Sequence, residues 1–263
     1  MLDLFADAEP WQEPLAPGAV ILRRFALSRA EALLAGIEEV TAASPFRHMV
    51  TPGGYTMSVA MTNCGELGWA TNERGYVYAP NDPTTGRPWP PMPAVFQALC
   101  HEAAVAADYP DFRPDACLIN RYAVGAKLSL HQDKDEPDLR APIVSVSLGL
   151  PAVFQFGGLR RNDPLKRIML EHGDVVVWGG ESRLVLPVSG LISVQPSTLR
   201  PVLVVKNASS APLVTFTDAT SESLIAVTLV SISPLSSRCF ISFLRVRRST
   251  GCERVFKYVV NPS

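Results

Sequence analysis

The spacing of apolar positions changes along the chain and marks out its elements. Residues 18–25 form a short apolar burst that predicts a first strand. Ser28 with Glu31 three residues on has the spacing of a capping box, and Ala32, Leu33, Ile37 and Val40 then share one stripe. This predicts a helix capped by Ser28 and running to about Val40. A second helix is predicted over residues 93–107, with Phe96, Leu99, Cys100 and Ala103 on one face. From Ala116 the period shortens to two. Strands are predicted over 116–122, 127–130, 143–148, 153–156, 167–171 and 174–178, the last two flanking a His172-Gly173 turn. Residues 8–18 are proline-rich and read as a surface arm. Residues 50–91 mix Gly, Pro, Asn and Thr with Tyr55, Trp69, Tyr76, Tyr78 and Trp89, and read as hairpins and loops forming a lid or rim. Two helices followed by many short strands predict an α+β, mostly β fold, with helices against one face of a sheet sandwich.

Composition narrows the class of protein. The chain has 263 residues, 47% of them hydrophobic, and a formal net charge of −1. A substantial core is possible, and no global basic field marks the whole surface for nucleic acid. No stretch reaches the roughly 20 apolar residues of a spanning helix. The start, Met1-Leu2-Asp3-Leu4-Phe5, lacks the basic residues of a secretory leader. Five scattered cysteines without a CxxC pair favour reduced thiols over a disulfide framework. Together these predict a cytoplasmic protein with no membrane partner; a monomer is expected.

The chain also changes character near Leu184. Residues 1–184 carry 16 Lys+Arg against 22 Asp+Glu, a net of −6, and all four His and all four Trp. Residues 185–263 carry 8 against 3, a net of +5, and hold 14 of the chain's 21 Ser. The tail is β-prone in bursts at 201–205, 224–230 and 239–246, with few turn signals between them. It reads either as a small β domain or as a segment not built to fold with the rest, such as a shifted reading frame would produce. The expected division is therefore a body, 1–184, with its lid at about 45–91 and its core from about 116, and a divergent tail, 185–263, of open fold.

One pair of residues carries chemistry. His131 and Asp133 lie two apart, so on a regular strand they share a face and can offer one imidazole nitrogen and one carboxylate oxygen to a single metal. With a second imidazole they would make a 2-His-1-carboxylate triad, which suits Fe(II) and leaves positions open. On its own, HxD is a weak signal and reads more readily as polar surface residues before the acidic stretch 134–138.

The surrounding residues are more specific. Asn120-Arg121-Tyr122, Leu128-Ser129-Leu130-His131-Gln132-Asp133-Lys134-Asp135, Phe154-Gln155-Phe156-Gly157-Gly158 and His172-Gly173-Asp174-Val175-Val176-Val177-Trp178-Gly179-Gly180 together resemble the AlkB family. So does the upstream run from Thr51 to Ser58. These are Fe(II)/2-oxoglutarate-dependent dioxygenases that remove alkyl groups from DNA and RNA bases. The resemblance covers about residues 1–184. It implies a double-stranded β-helix (jelly-roll) core with flanking helices and an N-terminal nucleotide-recognition lid.

Position by position, the resemblance implies that His131 and Asp133 ligate iron and that Asn120 and Tyr122 hydrogen-bond 2-oxoglutarate. Trp69 would stack on a flipped base with His131 on its other side. Met61, Tyr76, Ser129, Asp135 and Arg161 would make pocket and backbone contacts, and Lys127 and Lys134 would assist with phosphates. His172 sits in a turn of the family pattern and is not a ligand there. The implied activity is oxidative demethylation of bases of the 1-methyladenine and 3-methylcytosine type in single- or double-stranded DNA, with RNA as the wider class. It uses Fe(II), 2-oxoglutarate and O2.

Past Leu184 the pattern stops. Where the family has its second ligating His, this chain has Pro187, and no spaced Arg follows to meet the far carboxylate of 2-oxoglutarate. The sequence therefore predicts weakened iron binding, a jelly roll short of its last strands, and little turnover. A non-catalytic nucleic-acid binder, or an inactive product of a shifted frame, is the alternative.

Overall fold

The computed structural model describes residues 9–72, 75–126, 138–157, 164–184, 193–194 and 223–231. The chain opens with two antiparallel strands, β1 (Trp11–Ala16) and β2 (Ala19–Arg23). The expected surface arm is therefore an edge strand. Pro14 fits because an edge position leaves its missing N–H without consequence for the ladder, and the register shifts beside it, between Pro14 and Ala16.

A 3-10 turn, Leu27–Arg29, leads into α1 (Ala30–Ala43). The capping box is not formed. Ser28 lies inside the 3-10 turn, Arg29 occupies the N-cap, and no side chain bonds the first free N–H groups. The stripe itself is as expected, with Leu33, Ile37 and Val40 buried. Helix α2 (Ala94–Ala106) buries Phe96, Leu99, Cys100 and Ala103. Gly36 lets the two helices approach closely, since a Cβ there would lie 2.9 Å from the Phe96 ring.

Between the helices lie β3 (Arg47–Val50), β4 (Thr56–Gly65) and the hairpin β5 (Gly68–Asn72) and β6 (Gly75–Ala79). The hairpin lies within the stretch read as a lid, 45–91. Strand β4 belongs to the main sheet, and its residues 59–64 are buried. After α2 come β7 (Ala116–Ala123), β8 (Ile143–Gly149), β9 (Ala152–Phe156), β10 (Lys166–Leu170) and β11 (Val175–Trp178). A four-residue helix, α3 (Glu181–Leu184), the short β12 (Ser193–Val194) and β13 (Ser223–Val230) complete the described elements.

The large sheet has eight strands in the order β1-β2-β11-β8-β13-β7-β4-β3, and the smaller one runs β10-β9-β12. Their ladders are antiparallel. One face of the large sheet packs under α1 and α2 in a cluster that includes Leu33, Phe96, Ile119, Val146 and Val175. Its other face meets the small sheet: Ile21, Ile143, Val176 and Trp178 pack with Phe154, Phe156, Ile168 and Leu170. This is the jelly-roll sandwich with helices on its outer face. Each such fully buried aliphatic or aromatic side chain contributes on the order of 1.5–3 kcal/mol relative to exposure.

Strand β13 comes from the divergent tail and lies inside the large sheet. It pairs with β7 from Ala116 to Ala123 and with β8 from Val144 to Gly149. Ile225, Val227 and Leu229 enter the helix-side core, while Ala226 faces the opposite cluster. The sheet expected to be short of its last strands thus gains one from the tail, because an apolar run suits a strand with a hydrophobic core beneath it.

Candidate functional site

Strand β7 builds the interior of the site. Asn120 and Tyr122 lie two apart, so they face the same way, and both are buried. Met61 of β4 and Ala226 of β13 are the register partners of Asn120 on either side. Ser147 lies across from Ala226 on β8. Met61, Tyr122 and Ala226 join Met49, Val59, Ala126 and Ala152 in one cluster, with Trp69 packed against it. The intervening Arg121 turns the other way, its guanidinium 4.6 Å from the Phe46 ring centre. Of the residues singled out from sequence, the structure therefore gathers Asn120, Tyr122, Met61 and Trp69 in one place.

Asn120 Oδ1 is buried with no hydrogen-bond partner among the described residues. An unsatisfied buried oxygen costs roughly 1–3 kcal/mol. The amide can supply both a donor and an acceptor to a polar ligand entering here. The groups paired around it across the sheet are neutral.

The β5–β6 hairpin rests on this interior through Trp69. Asn63 lies two residues beyond Met61 on β4 and is fully buried. Its Oδ1 accepts from Trp69 N–H at 2.9 Å, and its Nδ2 donates to Trp69 C=O at 2.9 Å. The Trp69 ring stacks on Tyr76 with centroids 5.1 Å apart and an interplanar angle of 15°. Gly68 lies so close to Trp89 that a Cβ would sit 2.4 Å from the indole. Trp89 Nε1 in turn donates to Ala79 C=O at 2.9 Å, holding the far strand of the hairpin. Arg47 lies over the Trp89 ring at 5.4 Å and forks onto both oxygens of Asp82, at 2.6 and 2.7 Å. Burial opposes the Asp82 charge, but the Arg47 fork and the Thr84 N–H outweigh it and hold the carboxyl below the usual range. A groove of about 430 Å³ beside the hairpin is lined by His48, Thr51, Thr71 and Thr84 among others; Asn120 and Tyr122 are not part of it.

His131, Asp133, Ser129, Asp135 and Arg161 lie outside the described residues, as do Lys127 and Lys134. The remaining histidines can be placed. His48 Nδ1 is 2.8 Å from Met57 C=O, and His48 lies on the opposite face of β3 from Met49. His101 Nδ1 accepts from Arg113 Nη1 at 2.6 Å on α2. His172 Nδ1 accepts from Gly149 N–H at 2.9 Å, and burial pushes its pKa down. The chain has four histidines in all. Among the described residues no three His, Cys, Asp or Glu side chains are arranged to hold a metal. The sequence does not supply the family's full donor set: His131 and Asp133 are two candidate ligands, no histidine follows His172, and Pro187 stands where the second ligating His is expected.

Sequence reasoning missed Asn63, Arg47 and Asp82, and gave Trp89 no role beyond that of one rim aromatic among several. A signal was present for Asn63, a lone amide inside the apolar run 59–64. A buried amide needs a partner, and that partner is the Trp69 backbone.

Residues 18–206 match the family model of the 2OG-Fe(II) oxygenase superfamily. The chain is 78% identical over 184 residues to alpha-ketoglutarate-dependent dioxygenase AlkB of Escherichia coli (strain K12), covering 70% of this chain and 85% of that protein. It is 48% identical over 154 residues to an alpha-ketoglutarate-dependent dioxygenase AlkB homolog of Caulobacter vibrioides, covering 59% of this chain and 66% of that one. The solved structure of OsALKBH1 superposes with a TM-score of 0.64 at 27% identity, covering 84% of this chain and 100% of that one. Family model, sequence identity and sheet architecture agree, and the chain belongs to the AlkB family of the 2OG-Fe(II) oxygenase superfamily.

Proposed function

We propose that this site is built for oxidative demethylation of alkylated nucleic-acid bases of the 1-methyladenine and 3-methylcytosine type, in DNA and in RNA. The observation that supports it best is the seating of Trp69 and Tyr76 over the cluster that holds Met61 and Tyr122, next to Asn120. An enzyme that acts on a base must take it out of the stack and hold it against flat surfaces. The stacked Trp69 and Tyr76 offer such a surface, and Tyr76 is 40% exposed. Asn120 and Tyr122 supply polar groups for 2-oxoglutarate. In this family the oxidation belongs to Fe(II), O2 and the co-substrate, and the protein supplies position.

The histidine placement favours a second reading for this chain: base binding without appreciable turnover. No histidine follows His172 in the sequence, and Pro187 stands where the family pattern has its second ligating His, so an iron site built on that pattern is short of one nitrogen ligand.

Two measurements on single-stranded oligonucleotides carrying one 1-methyladenine test both readings. We expect salt-dependent binding that favours the methylated strand, and formaldehyde release with Fe(II) and 2-oxoglutarate close to the protein-free background. Turnover near that of an intact relative would show that a working metal site forms without a second imidazole. Equal affinity for methylated and unmethylated strands would remove the base-recognition reading.

A further inference from the structure

We propose that Asn63 is the positioning residue that orients Trp69 for base stacking, by taking the place of a strand partner for its backbone. This rests on the reading of Trp69 as the base-stacking side chain.

A peptide group on a neighbouring strand offers one C=O and one N–H to the strand beside it. Asn63 offers the same two groups from a side chain. Its Oδ1 receives Trp69 N–H and its Nδ2 reaches Trp69 C=O, both at 2.9 Å. Swapping oxygen and nitrogen would set acceptor against acceptor and donor against donor, so the pair of bonds fixes the amide orientation. The other edge of β5 is occupied by β6, where Trp69 lies opposite Tyr78. Trp69 is thereby held from two sides: its strand pairs with β6, and its own N–H and C=O are taken by the Asn63 amide.

The choice of asparagine has a physical reason. The residue lies in a buried stretch of β4 with Val59, Ala60, Met61 and Thr62 before it and Cys64 after it, and the Thr62 hydroxyl is taken by Ser44. A carboxylate there would lack the donor for Trp69 C=O, and an aliphatic residue would leave both backbone groups of Trp69 without this partner. Asn63 is also tied to the interior. Its register partner on β7 is Leu118, two residues from Asn120, just as Asn63 is two residues from Met61. The same pair of strands thus carries both the lid aromatic and the interior polar group.

The test uses the full chain, its Asn63→Ala and Trp69→Ala variants, and two labelled single-stranded DNA oligomers, one with a single 1-methyladenine and one without. Anisotropy at fixed salt gives the affinity ratio, and amide hydrogen exchange reports on Trp69 N–H. We expect Asn63→Ala to lower the preference for the methylated strand about ten-fold, leave affinity for the unmethylated strand unchanged, and speed exchange at Trp69. A purely structural Asn63 would weaken both strands alike. If Asn63→Ala does not fold, Asn63→Asp keeps the volume and the acceptor for Trp69 N–H, and is expected to lower the preference by a smaller factor.

Retention of the parent's preference and of Trp69 amide protection in the variants would overturn the proposal. If the parent and Trp69→Ala bind both strands equally, the base-stacking reading fails, and with it the role of Asn63 in recognition. Exchange at Trp69 in Asn63→Ala would still show whether the amide holds that backbone.

Discussion

Replacing Leu229 by alanine tests whether the late strand β13 is packed where it lies. Leu229 is 1% exposed, sits between Cys117 of β7 and Val144 of β8, and belongs to the cluster under both helices. Neighbours on both sides and helices above leave little room for the site to collapse, so truncation should leave a cavity. Such Leu→Ala changes cost roughly 2–5 kcal/mol. At about 2–4 °C per kcal/mol for a chain of this size, the melting temperature should fall by about 4–20 °C. Urea unfolding followed by circular dichroism gives the free-energy change directly, with an unchanged slope showing that the two-state comparison holds. Val77→Ala on the exposed hairpin is the control, expected within about 0.5 kcal/mol of the parent. A Leu229→Ala protein as stable as that control would mean that residue 229 is not in the core, and the pairing of β13 with β7 and β8 would have to be abandoned.

Gly68→Ala puts a Cβ 2.4 Å from the Trp89 indole, which must move and loosen its bond to Ala79. We expect a stability loss of about 1–3 kcal/mol together with a weaker preference for methylated strands, and an equally stable variant would contradict the close packing. His172 is held neutral in the fold, because burial lowers its pKa while Nδ1 accepts from Gly149 N–H. The unfolded chain therefore binds the proton more readily: the stability associated with His172 is complete above its unfolded pKa of about 6.5 and is lost as pH falls through the lower folded value. Proton NMR of the ring should give a folded pKa below that of a model histidine, and titration at or above the model value would refute the assignment.

Much of this architecture was legible from periodicity. Strands β2, β7, β8, β9, β10 and β11 and both long helices announce themselves by period two or by a stripe. Other elements did not, for reasons that can be named. Pro14 reads as a breaker until it is known to lie on an edge strand. Strand β4 is surrounded in sequence by glycine, threonine and asparagine, so its burial against β7 is invisible without the partner. Ser28 has the right neighbours for a cap, but the chain makes a 3-10 turn over Leu27–Arg29 first, which moves the N-cap to Arg29. Strand β13 could be seen as a β-prone burst, yet its place between β7 and β8 depends on contacts some 100 residues distant in sequence. In the site, the reading of Asn120, Tyr122, Met61 and Trp69 as neighbours came from motif resemblance. The Asn63 amide and the Arg47–Asp82–Trp89 support came only from the fold, because each links segments that sequence spacing does not connect.

The position of β13 also bears on how the protein is made. Strands β7 and β8 leave the ribosome well before residues 223–230; the later of them, β8, ends about 70 residues ahead, or on the order of 4–15 s of synthesis. During that interval the two strands that will flank β13 present bare ladder edges with no occupant between them. Direct pairing of those edges would trap the nascent sheet in the wrong order, so the hazard for this chain is greatest before translation reaches Val230.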